Sequence, residues 1–150
     1  MPMSPAASPA GGIALAQEVL SEFGQLRLRL TGSSMLPTVL PGDILSFRTC
    51  PTESLVPGCI VLVRRDGRLF AHRLLALTPD GLLTQGDSLP QPDPPTPAAD
   101  FLGVLVAQRR LGRDIPVSTA PRFGRWLMRH SALARRLFLR WHRSTITAPA

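Results

Sequence analysis

The sequence predicts a mainly β domain, and three features support this prediction. The 150 residues include 16 prolines and 12 glycines, which are many for a helical protein and suit short strands separated by turns. Gln25–Leu30 alternates polar and apolar residues, as expected for a strand with one buried face. Asp66 and Gly67 join two apolar segments in the manner of a tight hairpin. A chain of this length is long enough for one domain with a real core.

The N-terminal region predicts a flexible tail followed by one short helix. Residues 1–12 are mostly Pro, Ala, Ser and Gly, which bury too little apolar surface to become ordered. From Ile13 to Phe23 apolar residues recur at helical spacing, with Val19 and Leu20 on the apolar face and Gly24 as the terminator.

The remainder of the predicted domain, which spans residues 13–118, consists of strands and loops. Further strands are predicted at Asp43–Arg48, Cys59–Arg65, Arg68–Leu77, Leu82–Thr84 and Phe101–Arg109. Gln91–Pro97 has four prolines in seven residues and is predicted to be a loop.

Positive charge is concentrated at the C-terminal end of the chain. All 17 basic residues are arginine, and seven of them lie in residues 122–143 with no acidic residue among them. The other ten arginines balance the ten acidic residues, so residues 1–121 carry no formal net charge. The basic character therefore belongs to the C-terminal segment.

Residues 122–143 predict a basic amphipathic helix. Its predicted apolar face comprises Phe123, Trp126, Leu127, Ala134, Leu137, Phe138 and Trp141, and arginines lie opposite. This face could pack on the domain or on a partner protein, or residues 123–141 could lie on a membrane surface. Nucleic acid is the least favoured partner.

The chain shows neither a signal peptide nor a transmembrane helix, and the expected location is cytoplasmic, with membrane contact limited to the periphery. Cys50 and Cys59 are interpreted as small apolar residues, with a disulfide as the less favoured alternative. No cofactor and no metal site are expected.

Ser34 lies in a segment that contains two adjacent serines between predicted strands. A serine hydroxyl becomes a useful nucleophile when a base accepts its proton. His72 is the one histidine outside the arginine-rich C-terminal segment, and an acid that orients it could be Asp87 or Asp93. The order of these residues along the chain and the segments around them, rather than any residue alone, favour a catalytic interpretation.

The order of these motifs resembles that of type I signal peptidases, over roughly residues 26–110. The matching segments are Gly32–Thr38, Gly42–Leu45, Gly58–Val63, His72–Leu75, Gly86–Asp87 and Asp93. Because His72 stands where bacterial enzymes have lysine, the chain looks most like the endoplasmic-reticulum and archaeal branch. The resemblance implies Ser34 as nucleophile, His72 as general base and Asp93 as orienting acid, with Asp87 as the alternative.

The resemblance also implies a signal-peptidase-like or LexA-like β-fold with a site for the oxyanion. The N–H of Ser34 is one expected donor. Gly32 occupies a position where many relatives have a hydroxyl, so Thr31 or Ser33 could supply the second donor. Met35 is expected to anchor the loop against the β-body.

Two functions follow from this interpretation. The first is a serine endopeptidase that cleaves a protein or peptide precursor and loses activity as acid protonates His72. The second is a noncatalytic peptide-binding or regulatory module on the same fold. A self-cleaving repressor is disfavoured, because those relatives use a lysine base and the chain contains no lysine.

Overall fold

The computed structural model of the chain describes residues 9–117 and 122–147. The described residues form one antiparallel sheet of seven strands and three α-helices, so the prediction of a mainly β protein is confirmed. The helices are α1 (Pro9–Phe23), α2 (Arg122–His130) and α3 (Ala132–Thr147). The strands are β1 (Gln25–Arg29), β2 (Ile44–Arg48), β3 (Ile60–Arg65), β4 (Arg68–Thr78), β5 (Gly81–Gln85), β6 (Phe101–Arg110) and β7 (Arg113–Ile115).

The strands lie in the order β1-β2-β6-β3-β4-β5, and β7 pairs with β6. Strand β3 lies between β6 and β4. Its successive side chains point to opposite faces of the sheet, where they join different apolar clusters. Ile60 and Leu62 belong to a cluster that includes Met35, whereas Val61 and Val63 belong to a second cluster. Because both faces are covered there, the first four residues of the strand are all apolar and buried, and the strand ends in Arg64 and Arg65.

Two hairpins turn through residues with positive φ. Asp66 (φ 48°) and Gly67 (φ 69°) connect β3 to β4, as the sequence predicts. Leu111 (φ 48°) and Gly112 (φ 75°) connect β6 to β7 in the same way. The second hairpin was not predicted, because a leucine is unusual in this conformation.

The predicted N-terminal tail is too long. Helix α1 begins at Pro9, within the predicted tail of 1–12, while residues 1–8 lie outside the described part of the chain. A proline is tolerated in the first helical turn, where its missing N–H has no intrahelical partner. Ile13 and Leu20 are buried as predicted, but Phe23 is exposed and does not join the core.

The predicted C-terminal helix is two helices, which is a correction to the sequence analysis. The chain breaks at Ser131, whose Oγ accepts a hydrogen bond of 3.1 Å from the N–H of Ala134. This is the geometry of a helix cap, in which a serine hydroxyl bonds the third residue of the new helix. The pattern of apolar residues continues across the cap and conceals it.

The predicted apolar face is divided between the protein body and solvent. Met128, Phe138 and Leu139 pack against Leu36 and Leu40. The predicted apolar residues Trp126, Leu137 and Trp141 are instead exposed, and the side chain of Phe123 lies outside the described part. Within the described residues, no helix combines the length and the apolar character required to cross a bilayer.

Candidate active site

Ser34 lies in the loop that connects β1 to β2, here called the serine loop (residues 30–43). The two ends of the loop are joined, because the N–H of Leu30 donates to the carbonyl of Asp43 at 2.9 Å. Met35 and Leu36, which directly follow Ser34, are fully buried. Burial of these two neighbours holds a half-buried serine at the surface of the β-body.

Ser34, His72 and Asp93 form a continuous chain of hydrogen bonds. Nε2 of His72 lies 3.0 Å from Oγ of Ser34, and Nδ1 of the same ring lies 2.6 Å from Oδ2 of Asp93. His72 is on β4, and its side chain is 3% exposed. Three residues that are far apart in the sequence thus meet with the geometry that nucleophilic catalysis by serine requires.

The two bonds of His72 define its tautomer. An ionised carboxylate only accepts hydrogen bonds, so Nδ1 must carry the proton that Asp93 accepts. In the neutral ring Nε2 is then the acceptor for the hydroxyl of Ser34. The imidazole is therefore oriented to receive the serine proton.

The carboxylate of Asp93 is held in its ionised form. Burial opposes ionisation, but hydrogen bonds from His72 and Thr84 outweigh it, and the pKa of Asp93 lies below its ordinary value. Oγ1 of Thr84 donates at 2.7 Å, and a guanidinium nitrogen of Arg65 lies 3.4 Å from Oδ2. Thr84 and Arg65 were not among the predicted site residues.

The carboxylate of Asp87 binds partners other than His72. It accepts two bonds of 2.7 Å from the guanidinium of Arg73 and a further bond from the hydroxyl of Thr38. Of the two acids that the sequence left open, Asp93 contacts His72, whereas Asp87 contacts the serine loop through Thr38.

Residues 85–89 bind the back of the serine loop. The N–H of Ser88 donates to the carbonyl of Ser34 at 2.9 Å, and its hydroxyl donates to the carbonyl of Ser33 at 2.8 Å. The N–H of Asp87 contacts the sulfur of Met35 at 3.4 Å. Met35 is fully buried in the cluster that includes Ile60 and Leu62, so it holds the loop against the β-body. Ser88 was not among the predicted site residues.

A second buried carboxylate holds the far end of the serine loop. Asp43 is 1% exposed and accepts bonds from the side chains of Gln108 and Arg110 and from the N–H of Leu40. Gln108 also donates to the carbonyl of Thr38. The bonds from Gln108 and Arg110 could not be predicted from local sequence, because they join residues about 65 to 70 positions apart.

A cleft of about 650 Å³ opens beside Ser34. It is lined by Thr31, Gly32 and Ser33 from the serine loop, by residues 68–71 of β4, by Ser88 and Leu89, and by four residues of α3, namely Ala132, Arg135, Arg136 and Leu139. Nη1 of Arg135 donates to the carbonyl of Ser88 at 2.7 Å. The contribution of α3 to the cleft was not predicted.

Comparison of the chain with protein-family models found no matching family, and comparison with curated proteins found no significant match.

Proposed function

We propose that the chain is a serine endopeptidase in which Ser34 is the nucleophile, His72 the general base and Asp93 the acid that orients the base. The observation that carries this proposal is the hydrogen-bond chain from Ser34 Oγ through both nitrogens of His72 to Asp93. Asp87 acts in this scheme as a positioning residue that holds the serine loop.

The proposed reaction proceeds by acyl transfer. As Ser34 Oγ attacks the peptide carbonyl, its proton moves to Nε2 of His72, which then donates a proton to the leaving amine. Asp93 stabilises the charged imidazole without taking its proton. Water, activated by the same nitrogen, then hydrolyses the ester on Ser34 and releases the second product.

The negative oxygen of the tetrahedral intermediate needs hydrogen-bond donors. Within the described residues, the N–H of Ser34 donates no hydrogen bond to another group and so remains available as a first donor. The hydroxyls of Thr31 and Ser33 are the candidates for a second donor, since both residues line the cleft beside Ser34.

An extended peptide is the substrate that the cleft favours. Residues 68–72 of β4 pair with β3 on one side, whereas β5 pairs with β4 only from Arg73 onward. Within the described sheet, this leaves one edge of the first half of β4 without a strand beside the cleft, where a substrate strand could add. Because the sequence resembles that of type I signal peptidases, the proposal also includes their fold. It further includes a preference for substrates with small residues beside the cleaved bond.

A quenched peptide library tests the proposal. Wild-type protein should cleave a subset of peptides, and cleavage should disappear in both Ser34→Ala and His72→Ala when products are identified by mass spectrometry. Ser21→Ala and His130→Ala are matched controls, because both side chains are exposed on helices outside the cleft. Folding of each variant is checked by circular dichroism.

The outcome also separates the two functions considered from the sequence. Cleavage that depends on both Ser34 and His72 supports the endopeptidase. Saturable binding of library peptides by a folded wild-type chain that cleaves none of them would instead support a noncatalytic peptide-binding module.

A further inference from the structure

Helix α3 presents an apolar stripe to solvent. Leu133, Leu137 and Trp141 follow one another at intervals of four residues, so they lie on one side of the helix. They are 66%, 56% and 62% exposed, respectively. Three large apolar side chains in a row on a helix surface are unusual unless the surface meets a partner or a lipid phase.

Arginines border this stripe. Arg136, Arg140 and Arg143 are exposed on the same helix. The whole formal charge of +7 resides in residues 122–143, which contain no acidic residue. An occupant that complements the surface must therefore be both apolar and anionic.

The opposite side of α3 is already buried against the protein body. Phe138 and Leu139 pack on the cluster formed by Leu36 and Leu40, and Nε2 of His142 lies 3.0 Å from the carbonyl of Pro41. These contacts hold the helix in place with the apolar stripe facing outward. The surface is consequently preformed rather than created by binding.

We propose that α3 docks the protein on the surface of an anionic lipid bilayer. The stripe would enter the boundary between headgroups and acyl chains, and the flanking arginines would contact lipid phosphates. Tryptophan suits this boundary because its ring is apolar while its N–H is polar. Within the described residues of α3, the only charges beside the apolar stripe are positive. An anionic lipid surface offers both negative charge and an apolar phase, whereas the backbone of a nucleic acid offers negative charge alone.

Docking would also set the position of the cleft. Ala132, Arg135 and Arg136 of α3 line the cleft that contains Ser34. The cleft would therefore lie close to the lipid surface. This consequence matters for catalysis only if the proposed function is correct, whereas lipid binding itself does not depend on it.

Intrinsic tryptophan fluorescence and co-sedimentation test the docking. The sequence has two tryptophans, so a Trp126→Phe variant of the full chain leaves Trp141 as the single reporter. Vesicles of phosphatidylglycerol and phosphatidylcholine should shift its emission to the blue and sediment the protein. Vesicles of phosphatidylcholine alone should do neither.

Matched substitutions locate the surface. Leu137→Gln should reduce binding to the anionic vesicles. The double variant Arg136→Gln with Arg140→Gln should weaken this binding by about 25-fold, because each arginine near the surface contributes about fivefold. Val56→Gln and Arg113→Gln are the controls, since both residues are exposed on other parts of the molecule.

Three results would overturn the proposal: no binding to the anionic vesicles, equal binding to neutral vesicles, or equal loss of binding in the control variants. Binding to duplex DNA with no binding to vesicles would identify nucleic acid as the partner and would also overturn it. Because the assay does not measure peptide cleavage, its result is independent of the proposed activity.

Discussion

Arg73 and Asp87 form a buried ion pair behind the serine loop. Nε and one terminal nitrogen of the guanidinium each lie 2.7 Å from a different carboxylate oxygen, and both side chains are less than one tenth exposed. Since Thr38 donates to the same carboxylate, the pair ties β4 to the loop that carries Ser34.

Removing one partner of this pair should destabilise the protein strongly. Asp87→Ala leaves the buried guanidinium of Arg73 uncompensated, and the free energy of unfolding should fall by about 3–5 kcal/mol. Urea denaturation measures the loss. The double variant Arg73→Leu with Asp87→Ala removes both charges of this pair, so part of the lost stability should return. A double variant less stable than Asp87→Ala would contradict this account.

Gly86 is predicted to control the position of Ser34. A Cβ added at Gly86 would lie 2.7 Å from the carbonyl oxygen of Ser34 and 2.9 Å from the side chain of Leu89. Because the nucleophile must then shift, Gly86→Ala should lower kcat/KM by about a hundredfold. Gly12→Ala is the control, since its Cβ meets nothing within 4 Å. Unchanged activity in Gly86→Ala would disprove the predicted displacement.

Asp93 should make stability depend on pH. Its pKa in the folded protein is lowered from an ordinary value of 3.8, so its ionised form stabilises the fold above that pH. The contribution is lost as pH falls through the folded-state pKa. The difference in free energy of unfolding between wild type and Asp93→Asn should therefore be larger at pH 6 than at pH 3, as measured by urea denaturation. An equal difference at both values would refute the prediction.

Much of the fold follows from local sequence. The alternation in β1 and the Asp66–Gly67 turn are local signals, and the strands they predict are present. The two main errors have local causes as well. Pro9 lies in a segment with the composition of a flexible tail, but a first helical turn accepts a proline. Ser131 leaves the apolar pattern of the C-terminal segment intact, but it caps a new helix.

The candidate site was predicted from the order of motifs along the chain. Ser34 and Asp93 were assigned through the resemblance to type I signal peptidases, and His72 is also the one histidine outside the arginine-rich C-terminal segment. The residues that position these three side chains were not identified from the sequence. Ser88 bonds residues of the serine loop that are more than 50 positions away, and Thr84 bonds Asp93 across the loop that follows β5. Both pairings depend on how β5 and this loop fold.

A mutant cycle on Ser34 and His72 tests the central claim most directly. With a peptide that the wild type cleaves, kcat/KM is measured for Ser34→Ala, His72→Ala and the double variant. If the two side chains act as one unit, each single variant loses about a thousandfold or more and the double variant loses no more than either. Retention of more than one hundredth of the wild-type rate in Ser34→Ala, or losses that add in the double variant, would contradict the claim.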